Sequence, residues 1–224
     1  MISRKKLSAF ILNIIIISMI ISITSVFMSC GNTLKFKNDG VTGNLIDETN
    51  GRYYIYCKGY LRAASILNGV YAKGDRGEKL YEVDGLDPAE WLSEDITAFA
   101  APFLFREQSV EEPVFADFET KIIHITITEE ITLAVGAIQD KADIDIIAND
   151  FLNNEEVPVP EFITDVFTFN FESDKYKGIY YILEYYVDEK NDGYLYDRWT
   201  KRCVKCGIKL FTGNGADIPE EGEL

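Results

Sequence analysis

Arg52 to Leu67 reads RYYIYCKGYLRAASIL, and the alternation of its side chains decides the fold class. As one extended strand it puts Tyr53, Ile55, Cys57, Gly59 and Leu61 on one face. Tyr54, Tyr56, Lys58, Tyr60 and Arg62 fall on the other. Rings and β-branched residues at this density suit a pleated, half-buried surface. Downstream, Asn68-Gly69 predicts a two-residue hairpin, because both residues tolerate positive φ. VYAK, the turn GDRG and EKLYEV then continue a meander.

The same period recurs further along. KIIHITIT places Ile123, Ile125 and Ile127 on one side, and ITLAVGAI is its expected antiparallel partner across Glu129-Glu130. FITDVFTFNF, GIYYILEYYV and YLYDRWTKRCV read as three more strands. Two segments read as helix. In QDKADIDIIANDFLN, Ile144, Ile147, Ala148 and Phe151 recur at i, i+3, i+4 and i+7, with Asp143, Asp145 and Asp150 on the other faces. DPAEWL predicts a short helix capped by Asp87, with Pro88 at its first position. The expected fold is therefore β-rich α+β: an antiparallel sheet of meander-like hairpins with one well-defined and one short helix. All 13 tyrosines lie within 53–81 or 176–196. Strands this aromatic are expected to pair with each other, so the first and last strand groups should share a ladder.

Ahead of this domain the composition changes. Arg4, Lys5 and Lys6 precede an uncharged run from Leu7 to Met28, which is the pattern of an export leader. The run ends in Phe27-Met28-Ser29-Cys30. This resembles the lipobox of bacterial lipoproteins, in which an apolar, a permissive and a small residue precede an obligatory cysteine. The resemblance covers the first 30 residues. It implies cleavage between Ser29 and Cys30, acylation of Cys30 by fatty chains such as palmitate, and a domain held on the extracytoplasmic side of the bacterial cell envelope. A retained membrane anchor is the other reading of the same run, since ~20 apolar residues cross a bilayer. The expected organisation is a signal peptide over 1–29, the lipidated cysteine and a flexible tether over 30–50, one domain over 51–211, and an acidic tail over 212–224.

The full chain carries 22 Lys+Arg against 37 Asp+Glu, a net charge of −15. Loss of the leader removes three cations and leaves −18. Such a surface repels nucleic acid and anionic lipid head groups, so a nucleic-acid partner is excluded. The membrane is met through the lipid, and the remaining partner classes are another envelope protein or a glycan.

No catalytic constellation, cofactor loop or metal-ligand set emerges. Cys203-Val204-Lys205-Cys206-Gly207 resembles one zinc-ribbon knuckle, but a second knuckle is missing and only Cys57 and His124 could complete a site. In an exported chain a structural disulfide among Cys203, Cys206 and Cys57 is the favoured expectation. His124, the single histidine, alternates with the inward isoleucines and should face outward. DEKNDGYLYD has carboxylates near a glycine, yet Lys190 and Trp199 occupy positions where an EF-hand loop needs oxygen ligands. The most suggestive surface joins Tyr54, Tyr56 and Tyr60 to Tyr194, Tyr196, Arg198 and Arg202. It reads either as a binding face or as a sheet face covered by the 139–153 helix, with arginine stems packed over rings. The leading expectation for function is a non-enzymatic, lipid-anchored binding or assembly module. An envelope hydrolase working through carboxylates and a purely structural lipoprotein are the alternatives.

Overall fold

The structure, a computed structural model, describes residues 34–57, 59–67, 69–94, 102–128 and 132–210. The leader, Ser29, Cys30 and the tail over 212–224 lie outside these residues. No helix among the described residues is long and apolar enough to cross a membrane.

Among the described residues fourteen strands form two sheets. In the N-terminal half, β1 (Leu34–Asn38), β2 (Leu45–Asp47), β3 (Arg52–Tyr56), β5 (Ala72–Gly74), β6 (Lys79–Tyr81), β7 (Trp91–Glu94) and β8 (Leu104–Glu107) close into a barrel. Its order is β1-β2-β3-β8-β7-β6-β5, more than a simple meander. The second sheet runs β10 (Thr132–Ile138), β9 (Thr120–Thr128), β11 (Ile163–Ser173), β12 (Ile179–Asp188), β13 (Gly193–Tyr196), β14 (Cys203–Cys206). The remaining strand, β4 (Leu61–Ala63), leaves the barrel and pairs with β12, Leu61 opposite Tyr181 and Ala63 opposite Ile179. The early and late tyrosine groups thus share a ladder, through β4 alone.

Several local expectations are corrected. Residues 34–47, expected as tether, supply β1 and β2. Phe36 and Leu45 are buried there, and the intervening loop is held by the Asp39 carboxylate, which accepts from the backbone N–H groups of Val41, Thr42 and Gly43. RYYIYCKGYLRAASIL is two strands in two sheets, because β3 ends at Tyr56 and the chain turns before Leu61. Gly69 is no hairpin tip. It has φ +111° and lies between the Ile66–Val83 bridge and the β5–β6 pairing, while the hairpin turns at Asp75-Arg76. DPAEWL makes one turn, with Trp91 N–H donating to the Asp87 carbonyl at 2.8 Å, and then becomes β7. The strand wins because Trp91, Leu92 and Ser93 are all buried between β6 and β8. YLYDRWTKRCV is likewise broken into β13 and β14 around Asp197.

The predicted long helix is α1 (Lys141–Asn153), capped by the Asp140 carboxylate, which accepts from Ala142 and Asp143 N–H. Ile144, Ile147 and Phe151 are buried, each contributing roughly 1.5–3 kcal/mol of apolar burial. They cover the inner face of the open sheet, formed by Ile123 and Ile125, Phe167, Phe169 and Phe171, Leu183 and Tyr185, Leu195 and Val204. Cys57, Val83, Trp91 and Leu104 from the barrel side join this core. Inside the barrel, Phe36 and Tyr54 stack at 5.4 Å, among buried Leu45, Leu80 and Leu92.

Candidate functional site

The register of the open sheet fixes which side chains lie opposite α1. Pairings of Glu172 with Tyr180, Tyr180 with Arg62, Glu184 with Tyr196 and Tyr186 with Tyr194 place all of these on the outer face. His124 shares that face, its Nε2 2.6 Å from Glu172 Oε2 and its ring 5.5 Å from that of Tyr180. Tyr180, Glu184, Tyr194 and Tyr196 are half-buried.

One place on this face has a built geometry. β4 and β13 lie end to end along the same edge of β12, at Ile179–Tyr181 and Glu184–Val187 respectively. The turns bounding them therefore abut. The Asp197 turn is tightly held: its buried carboxylate accepts from Trp199 N–H at 2.8 Å, Thr200 N–H at 3.3 Å and the Thr200 hydroxyl at 2.8 Å. This throws Trp199 across the junction. A β-carbon on Gly59 would lie 3.4 Å from the Trp199 ring and 3.9 Å from Arg62 Nη2, so ring and guanidinium meet over that bare backbone. Arg62 stacks on Phe103 at 4.4 Å and donates to its neighbour's carbonyl, Leu61 O, at 3.1 Å. Tyr56 packs against Phe103 at 5.3 Å. Burial lowers the Arg62 pKa, offset in part by Tyr56 and reinforced by the nearby Arg198 cation. Arg198 pairs with Glu184, which also accepts from the Tyr186 hydroxyl.

The residues expected to form one binding face are dispersed. Tyr54 is buried in the barrel, its hydroxyl donating to Pro88 O at 3.0 Å. Tyr60 packs on the inner side against Tyr181 at 4.8 Å and donates to Glu112 Oε1 at 2.7 Å. Arg202 caps α1, donating to the carbonyls of Phe151 at 3.2 Å and Asn154 at 2.9 Å and pairing with Glu156. Tyr56, Tyr194, Tyr196 and Arg198 remain toward the outer face. Phe103, Tyr180 and Trp199 were missed. Trp199 had a signal, a large ring between Arg198 and Lys201 in a polar turn.

The expected disulfide is corrected too. Cys203 and Cys206 sit three apart in β14, about 10 Å by strand rise and on opposite faces, beyond the ~7 Å Cα limit for a bridge. Cys57, Cys203 and Cys206 are all free and buried. Desolvation pushes the thiols up to about 12 at Cys57, about 11 at Cys203 and about 12 at Cys206.

An open depression of ≈ 250 Å³ lies beside Pro160, Phe162, Asp188, Lys190 and Tyr194. There Asp188 is lowered, first by the Asp192 N–H and also by the Lys190 N–H, so it is an anion and no proton donor. Among the described residues no group of three or more His, Cys, Asp or Glu is placed to hold a metal ion. Neither a family model, nor a curated protein, nor a solved structure matches the chain.

Proposed function

We propose that this chain is a lipid-anchored bacterial envelope protein whose folded part is a non-enzymatic binding module. Anchoring rests on the leader and on Cys30 at its end. One structural observation carries the binding reading. The inner face of the open sheet is packed under α1, whereas on the outer face Tyr180, Tyr194 and Tyr196 are only half-buried and Arg198 and Trp199 are exposed. Trp199 is 53% exposed although its turn is fixed by three bonds to Asp197. One side of the ring lies over Gly59 and the other is left in solvent on a firmly held turn, available for contact.

Anchoring is tested by expressing the full chain in a bacterial host with labelled palmitate, then measuring intact mass and detergent-phase partitioning. Cys30 should carry the acyl mass beginning at a new N-terminus, and Cys30→Ser should remove the label. A labelled Cys30→Ser protein, or an unacylated wild type in the aqueous phase, would refute it.

A further inference from the structure

Resting on that binding reading, we infer that the Arg62–Trp199 corner takes a saccharide bearing an isolated carboxylate. Arg62 is the first ground. In a chain of net charge −15, this largely desolvated guanidinium has no carboxylate partner among the described residues. Among the described residues its one side-chain hydrogen bond goes to an adjacent carbonyl, and its plane is fixed by Phe103. A planar fork with free N–H groups in a partly dry setting matches a carboxylate, which it can hold by two parallel bonds. Arg198, near enough for its charge to disfavour that of Arg62, is itself paired with Glu184, which leaves Arg62 to an incoming anion.

Trp199 is the second ground. Its ring lies beside the guanidinium over Gly59, so a ligand held by Arg62 meets an aromatic face at once. The apolar C–H face of a pyranose packs flat on such a ring, while its hydroxyls reach Glu184 and the polar ends of Tyr180 and Tyr196. Beside this corner a peptide added as an extra strand is disfavoured, although β10 at the far side of the sheet is paired with β9 alone. β4 is paired with β12 and bridged through Arg62 to Phe103, and β14 is bridged through Val204 to Glu156. The carboxylate should be isolated because the acidic surface repels a polyanion, whereas a single charge is screened beyond about 8 Å at physiological salt.

The test uses the full chain in mild detergent, titrated with methyl glucuronide, its methyl ester, methyl glucoside and hexaglutamate. Iodide quenching reports Trp199, since Trp91 is buried. The glucuronide should protect Trp199 with a dissociation constant on the order of 1 mM, and the ester and glucoside should bind at least about tenfold more weakly. Trp199→Ala and Arg62→Gln should each abolish binding, read by calorimetry, with far-UV circular dichroism as the folding control. Should Arg62→Gln misfold, Trp199→Ala and the ester comparison decide alone. Equal binding of acid and ester overturns the carboxylate, hexaglutamate binding as well as the glucuronide overturns the saccharide, and no saccharide binding overturns the inference. A protein acylated at Cys30 that fails here keeps its anchoring and loses only this ligand.

Discussion

Gly193 offers a demanding test of the packing. Its backbone is ordinary β-strand, so alanine meets no conformational penalty there. The obstacle is Tyr185, whose hydroxyl passes 1.9 Å from where a β-carbon would stand, with ring atoms at 2.5 and 2.8 Å. Tyr185 has little room to retreat. It is buried, stacked on Phe169 at 4.9 Å and 8°, and bonded through its hydroxyl to Ile208 O at 2.7 Å. Gly193→Ala must break that bond, at about 1–3 kcal/mol for the buried groups left unpaired. It must also shift a packed ring, at about 1–3 kcal/mol. The expected loss is the sum, about 2–6 kcal/mol, in urea denaturation with m unchanged. Tyr185→Phe alone should cost about 1 kcal/mol. Combined with Gly193→Ala it should cost about 1 kcal/mol less than the sum of the two, because the closest atom is gone. A loss below about 0.5 kcal/mol for Gly193→Ala would falsify the proposed close approach.

The three buried thiols should react with Ellman's reagent only after denaturation, and their number should not change with prior reduction; a reductant-dependent increase would restore the disulfide. Asp192 accepts from Lys205 at 2.7 Å and Lys209 at 2.9 Å, the first being the larger cause of a pKa lowered to about 2. A carboxyl depressed on folding stabilises above its unfolded pKa near 3.9, and that contribution disappears as pH falls through about 2. Asp192→Asn should therefore be less stable than wild type at pH 7 and equal to it below pH 2; a deficit that persists in acid would refute the linkage. Arg202→Met should cost about 1.5–3 kcal/mol by uncapping α1, and hydrogen exchange should quicken over Asp150–Asn153 rather than in β13. Uniform exchange changes would contradict that role.

The parts of the fold legible in the sequence are those where one period persists long enough to average out accidents. α1 is one, with Ile144, Ile147 and Phe151 buried as expected, and so is the β9-β10 pair. The barrel was opaque because its strands are only three to five residues long, too short to show alternation. LKFKN buries Phe36 alone of its five residues, and its charged neighbours made it look like linker. The break between β3 and β4 was hidden for another reason. Alternation continues through the sequence, while the choice of sheet belongs to β12, which lies far along the chain. The candidate site depends on that same junction, so Phe103 could be named only once its pairing with Arg62 was placed. Tyr54 and Arg202 show the converse, since residues of apt chemistry were drawn inward or to a helix end by partners no local pattern reveals.

The borrowing of Leu61–Ala63 by β12 also orders events in time. Leu61 must wait for Tyr181, roughly 120 residues later, before its edge is closed. A chain threaded across a membrane N-terminus first would present the barrel's opening strands outside while their tie to the second sheet is still in transit. The early half should then stay open to holding factors until β12 emerges, and truncation anywhere before Ile179 should leave a sticky, protease-sensitive fragment rather than a smaller folded protein.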